Sequence, residues 1–319
     1  MKHTNSSTNL GVFLLAYGGP LSLDDVEPYL LDVRGGRPTP PELVEEVRHR
    51  YALIGGRSPL LENTRAQARA LENFLREQWG VDVPVFVGMR HWHPYIRDVV
   101  PEIVARGIRH LIAIPMAPHY SRLSIGAYRK ALDEALAQVD DPPEVYFVER
   151  WGSHPRFVQA VAEKVREGLA RFPAGARDQV AVIFTAHSLP QRIVEMGDPY
   201  PEELAESARL VAEAVGLSTW HLAYQSAGAS SVPWLGPDVG DLVEDVARAG
   251  TRHVLVVPIG FVCDHVEILY DIDIELRQRA EALGVRVERT ESLNDSPGLV
   301  ATLAALVGEL EGDGLKVKS

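Results

Sequence analysis

One cysteine, Cys263, stands in a chain of 319 residues. No intrachain disulfide can form, and no cluster held by several cysteines of this chain can be built. Such a chain suits a reducing cytosol, so the cytoplasm is the expected location. Basic residues are also short: 32 Lys and Arg face 44 Asp and Glu, a net charge of −12. That balance lacks the positive footprint that nucleic acid or an anionic membrane surface calls for. No apolar run approaches the roughly 20 residues that cross a bilayer, so no integral membrane segment is expected. The run Gly11 to Tyr17 after Lys2 and His3 is too short for a signal peptide, and no small-residue cleavage site follows it. Neither a P-loop nor the dinucleotide glycine spacing follows the first apolar run, which scores nucleotide binding low.

Against these absences stands a repeat. Val12-Phe13-Leu14-Leu15-Ala16-Tyr17-Gly18-Gly19-Pro20 aligns with Val182-Ile183-Phe184-Thr185-Ala186-His187-Ser188-Leu189-Pro190. Each reads as an apolar strand, Ala, a ring-bearing polar residue, and a turn ending in Pro. A second pair agrees: Gly107-Ile108-Arg109-His110 through Pro115 matches Gly250-Thr251-Arg252-His253 through Pro258. Two similar lobes imply a cleft between them, with Tyr17 and His187 at equivalent strand ends, where open α/β sheets bind ligands.

Strand and helix signals alternate along the whole chain. Beyond the first strand, helices are expected at 23–31, 42–51, 63–79, 96–106 and 125–137, and strands at 83–89, 111–116 and 145–148. The second half repeats the order: helices at 155–170, 201–215, 238–249 and 267–283, strands at 180–185, 220–225, 254–259 and 285–289, and a last helix at 297–310. Continuous Val, Ile and Leu runs suit parallel strands covered on both faces. The expected fold is α/β: two Rossmann-like lobes, 9–151 and 152–296, each a four-stranded parallel sheet flanked by helices. The final helix, 297–311, packs back on the first lobe. Residues 1–8 and 312–319 read as loose tails.

Three groups of residues carry candidate chemistry. His187 lies just beyond a buried strand; a lone histidine more often serves a nearby carbonyl, but this position favours a proton acceptor or metal ligand. Glu267, Asp271 and Glu275 are four apart and form one acidic stripe on an α-helix. Such stripes are commonly solvated faces with Arg partners. This one starts just after the strand ending at Pro258, which favours a path for a hard cation or protons. The third group is two Gly-rich loops, with Arg34 and Arg37 around Gly35-Gly36, and Arg50-Tyr51 before Gly55-Gly56-Arg57-Ser58-Pro59. Arginine forks and free backbone amides suit carboxylates or phosphates. Among the other histidines, His91 follows a strand and is the best candidate for the cleft. His119 and His265 match no structural zinc spacing, and His49, His110, His221 and His253 read as surface or strand-edge residues.

These residues resemble the ferrochelatases, most closely the short soluble bacterial type that works on coproporphyrin. The resemblance runs over nearly the whole chain. It is carried by Ala186-His187-Ser188-Leu189-Pro190, Gly197-Asp198-Pro199-Tyr200, Gln225-Ser226, Trp234-Leu235-Gly236-Pro237-Asp238, and Gly260-Phe261-Val262 through His265, Glu267 and Asp271. Ile54-Gly55-Gly56 with Ser58-Pro59-Leu60, and Ala117-Pro118-His119-Tyr120-Ser121, add to it. The resemblance implies chelatase-like lobes around a porphyrin, and insertion of ferrous iron into coproporphyrin III with release of two protons, a lyase-class step of haem biosynthesis. It implies His187 and Glu267 as the catalytic, metal-side pair, with Asp271 and Glu275 relaying metal or protons. Tyr17 matches an axial ligand of product iron on the opposite face. Arg34, Arg50, Tyr51, Ser58, His91 and Tyr128 match positions contacting the porphyrin. Gly35 departs from relatives that carry a second Arg there, so propionate binding leans on Arg34 and Arg37.

Fe2+ is then a substrate, no cofactor is tightly bound, and one cysteine precludes the iron–sulfur cluster of some relatives. A monomer without a carboxyl-terminal membrane anchor is expected, with transient contacts to neighbouring haem-pathway enzymes. Alternatives are a protoporphyrin IX ferrochelatase, a cobalt or nickel tetrapyrrole chelatase, and a non-catalytic haem or tetrapyrrole carrier.

Overall fold

A computed structural model of the chain describes residues 9–228 and 232–312. It divides into two compact units. The first holds the chain up to Ala117, Arg122–Arg150 and the segment from Asn294 onward; the second holds Pro118–Ser121 and Trp151–Leu293. Residues 1–8 and 313–319 of the expected tails lie outside the described residues, whereas Gly312 closes the last helix.

The first unit runs β1 (Leu10–Ala16), α1 (Val26–Val33), α2 (Pro41–Leu53), α3 (Leu60–Trp79), β2 (Val85–Met89), α4 (Ile96–Ala105), β3 (His110–Pro115), α5 (Ile125–Leu136) and β4 (Glu144–Phe147). All pairings are parallel, in the order β2-β1-β3-β4. Every residue of β1 is buried, as a central parallel strand covered on both faces must be. The second unit runs α6 (Pro155–Ala170), β5 (Ala181–His187), α7 (Arg192–Glu195), α8 (Tyr200–Val215), β6 (His221–Gln225), α9 (Val239–Arg248), β7 (His253–Val257), α10 (Val266–Leu269), a π-helical turn (Asp271–Leu276), α11 (Arg277–Ala282) and β8 (Arg286–Arg289). Its sheet is also wholly parallel, in the order β6-β5-β7-β8. The last helix, α12 (Pro297–Gly312), packs on α3 of the first unit, with Leu299, Leu303 and Val307 fully buried. The Gln67 amide of α3 donates to the Asn294 carbonyl just ahead of it, 3.0 Å away.

The repeat extends to register: Val12 lies opposite Ile112 as Val182 lies opposite Leu255. It also reaches further than the sequence alignment did. At the end of β2 the Met89 amide donates to Pro94 O (2.7 Å), and near the end of β6 the Tyr224 amide donates to Pro237 O (2.8 Å). Both prolines follow cis bonds, His93-Pro94 and Gly236-Pro237, and each leads into a helix, α4 or α9. In each sheet the strand that comes first in sequence is interior and the order reverses beside it, so its carboxyl end marks a switch point. Among the described residues no helix is long and apolar enough to cross a membrane.

Two expectations need correction. His187 is the final residue of β5 rather than lying beyond it. The helix expected at 267–283 is three pieces, because the Glu275 amide reaches five residues back to Tyr270 O (2.9 Å). The apolar spacing explains the break. Ile268, Ile272, Leu276 and Ala280 are buried and repeat strictly every four residues. On an α-helix that spacing drifts by about 40° per step. A π turn holds more residues per turn and keeps the stripe on the core.

Candidate active site

In the second unit, the end of β5 is held from several sides. The Tyr200 hydroxyl donates to His187 O (2.9 Å), and the Ser188 amide donates to Gln225 O (2.8 Å). Gln225 is buried and links the two halves of the site: its side-chain oxygen accepts from the Thr185 hydroxyl (2.8 Å), and its amide nitrogen donates to Glu267 O (2.7 Å). Gly260 is required here, since a Cβ would lie 2.6 Å from that of Ala186. The result is a direct contact, with His187 Nδ1 2.9 Å from Glu267 Oε2.

The two groups retain 37% and 29% of their side-chain surface, enough for a ligand to reach both. Burial by itself favours neutral His187, but the charge and hydrogen bond of Glu267, with the charge of Asp271, outweigh it and raise the imidazole above its ordinary value. Burial likewise favours protonated Glu267, but His187 and then His265 and Ser226 hold the carboxyl well below its usual range. Both shifts favour the imidazolium–carboxylate form of the pair. When His187 loses a proton, Glu267 retains the one on Nδ1, leaving Nε2 as a bare acceptor pushed toward higher basicity.

The members of the acidic stripe differ in setting. Asp271 accepts a hydrogen bond from the Ser226 hydroxyl. Asp273, between the stripe positions, is bound by Arg289. Glu275 is exposed. His265 turns Nδ1 to Cys263 O (3.0 Å), with Nε2 4.0 Å from Glu267. Among the described residues no three His, Cys, Asp or Glu side chains are grouped to hold a metal. His187 and Glu267 are thus a close pair, Asp271 is joined to it through Ser226, and Glu275 is exposed.

In the first unit, Tyr17 follows β1 and is 41% exposed. Its ring lies 4.7 Å from that of His91, whose amide donates to Tyr17 O (2.9 Å). Gly18 turns the chain at φ +98°. Gly19 lets it pass Ser58, because a Cβ there would meet Ser58 Oγ at 2.5 Å and would lie 3.5 Å from the Tyr51 hydroxyl. Tyr17, His91, Ser58 and Tyr51 therefore gather around one turn. Arg50 adjoins them and contacts Glu46 (2.6 Å), while Tyr128 is buried in the first turn of α5. Arg34 caps α1; its Nε is buried and makes no hydrogen bond among the described residues. Arg37 donates through Nε to Arg34 O (3.1 Å) and so supports that loop.

Sequence reasoning missed the group that holds His91. Asp32 Oδ1 lies 2.8 Å from His91 Nδ1, and Asp32 Oδ2 accepts from the Tyr95 hydroxyl (3.2 Å). This fixes the Nδ1–H tautomer; Nε2 is buried without a hydrogen-bond partner among the described residues. Burial, with the charge of Arg90, outweighs Asp32 and lowers the His91 pKa, which favours the neutral ring. No spacing signal joins positions 59 residues apart. His119 is fully enclosed: burial drives it down to about 3, and Nε2 faces Ser207 Oγ at 2.8 Å. The Cys263 thiol is buried and pushed up to about 12, which leaves it no nucleophilic role near neutrality.

Comparison with known proteins gives a consistent result. The family model described as Ferrochelatase matches residues 9–310. A protein named ferrochelatase from Herpetosiphon aurantiacus is 46% identical over 94% of this chain and 99% of its own length. A coproporphyrin III ferrochelatase from Geobacillus kaustophilus is 39% identical over 93% of this chain and 94% of its own. Among solved structures, SirB from Bacillus subtilis with Fe3+ aligns with a TM-score of 0.61 over 96% of this chain and 97% of its own, at 12% identity, a likeness of fold.

Proposed function

Since the chain belongs to the ferrochelatase family and is a metal chelatase acting on a porphyrin, we propose that it inserts ferrous iron into coproporphyrin III, giving Fe-coproporphyrin III and two protons. The observation that carries the reading is the 2.9 Å contact between His187 and Glu267 at the carboxyl end of β5. A free porphyrin holds two N–H protons that must leave as iron enters. Neutral His187, its Nδ1–H retained by Glu267, presents Nε2 to take a pyrrole proton or to replace water on incoming iron. Along the chain Asp271 follows Glu267 and exposed Glu275 follows Asp271, a series suited to passing cations inward or protons outward. Substrate binding energy from the ring's periphery is available to bend the macrocycle and expose its nitrogens.

The first unit supplies the porphyrin contacts in this reading. Arg34, with its unbonded Nε, and Arg50 take propionates; Tyr51, Ser58, His91 and Tyr128 line the ring. Tyr17, exposed beside neutral His91, is the axial ligand of product iron. The preference for coproporphyrin, with four propionates against two in protoporphyrin, is supported by relatives named coproporphyrin III ferrochelatase at 38–39% identity. Anaerobic insertion of Fe2+ into coproporphyrin III and protoporphyrin IX, followed by porphyrin absorbance, tests both parts. Faster insertion into coproporphyrin is expected. Preference for protoporphyrin overturns the substrate assignment, and tight binding without insertion into either overturns the proposed reaction.

A further inference from the structure

Arg289, on the last strand of the second sheet, has no place in the resemblance or in the mechanism above. Its side chain is only 11% exposed and grips two separate acids. Nε and Nη2 form a two-pronged contact with Asp273 Oδ1 (3.0 Å) and Oδ2 (2.8 Å) inside the π turn. Nη1 lies 3.3 Å from Asp264 Oδ1, three residues ahead of Glu267, and donates to Thr290 O (2.9 Å) and to Ser292 Oγ (3.3 Å). The Ser292 hydroxyl in turn donates to Asp264 (2.7 Å). One guanidinium therefore ties the loop entering α10 to the π turn leaving it, and Glu267 lies between the two anchors.

We propose that Arg289 is a positioning residue for metal delivery: by clamping Asp264 and Asp273 it sets the placement of Glu267 against His187 and of Asp271 and Glu275 beyond. This rests on the chelatase reading above. The geometry gives two reasons for the assignment. The fork matches a carboxylate in a way that a lysine ammonium cannot, so the clamp depends on shape as well as charge. The contact also helps neutralise Asp273, which lies between Asp271 and Glu275 in the chain and has Arg277 at 3.5 Å as its other cation.

The test is steady-state insertion by wild type, R289K, R289Q and D273N. Fe2+ is varied at saturating coproporphyrin III, then the porphyrin is varied at saturating Fe2+, all at a temperature where thermal unfolding shows each protein folded. R289K keeps the charge but not the fork, and is expected to lose about 10- to 100-fold in kcat/KM for iron. KM for the porphyrin stays at the wild-type value, and D273N moves in the same direction. If R289Q fails to fold, R289K and D273N still decide the matter. Wild-type kcat/KM for iron in R289K, or equal losses on the iron and porphyrin sides, overturns the clamp and leaves the chelatase reading standing. A wild type that inserts no metal overturns that reading and the clamp with it.

Discussion

The ends of β1 and β5 occupy the same place in two sheets of the same order and register, yet they are equipped differently. Tyr17 is an exposed phenol beside a half-buried imidazole of lowered proton affinity that Asp32 holds in one tautomer. His187 is itself the imidazole, and its partner is an ionised carboxylate from a different element. Electrostatics follow from that exchange. Burial dominates at His91 and lowers its proton affinity, while at His187 the Glu267 charge overrides burial and raises it. A repeated scaffold thus delivers two side chains to equivalent switch points. What surrounds each ring decides whether it holds a proton.

The most severe way to break the comparison is to remove the imidazole. His187→Ala is expected to lower the insertion rate by about 100- to 10,000-fold, the range of a lost general base, while porphyrin binding, followed by fluorescence titration, persists. Near-normal turnover would sink the assignment of His187.

Glu267→Gln sharpens the comparison by making His187 resemble His91. With the carboxylate gone, burial prevails and the imidazole falls below its ordinary 6.5. The rising limb of the pH–rate profile should then move to lower pH, even as the maximum rate falls; an unmoved limb would show that His187 is not the titrating base. Stability gives the matching sign. The raised His187 pKa contributes stability that is complete below 6.5 and fades as pH rises through the folded value. The depressed Glu267 pKa contributes stability present above 4.5 and lost as pH falls through its folded value. The wild-type advantage over E267Q in denaturant titrations should therefore peak between these two limits.

The smallest effect is expected on the other side of the comparison. Tyr17→Phe leaves the His187–Glu267 pair intact, so turnover should change little. The absorption spectrum and release rate of the ferric product should change, because the phenol oxygen is gone. An unchanged product spectrum would count against Tyr17 as a ligand.

Much of this could be read along the chain. The apolar runs ending at Ala16 and Ala186 announced two central strands, and the residues after them, Tyr17 and His187, were legible as strand-end chemistry because a parallel strand's carboxyl end opens on the ligand side. The π turn was missed although its signal is present. Ile268, Ile272, Leu276 and Ala280 keep a strict spacing of four that an α-helix cannot hold on one face. Read as an ordinary helix, the segment placed Glu267, Asp271 and Glu275 on one stripe, where the folded chain gives them three different settings.

Local pattern alone determined the duplicated α/β plan, the strand ends and the candidate His187 and Glu267, because burial of apolar runs and turn chemistry act over a few residues. Only the tertiary structure decided that these two groups touch, that Asp32 orders His91, and that Arg289 grips Asp264 and Asp273. Those contacts join residues 80, 59, 25 and 16 positions apart. Their charges and hydrogen bonds act through space over a few ångströms, a distance set by how strands and turns pack and written in no local spacing.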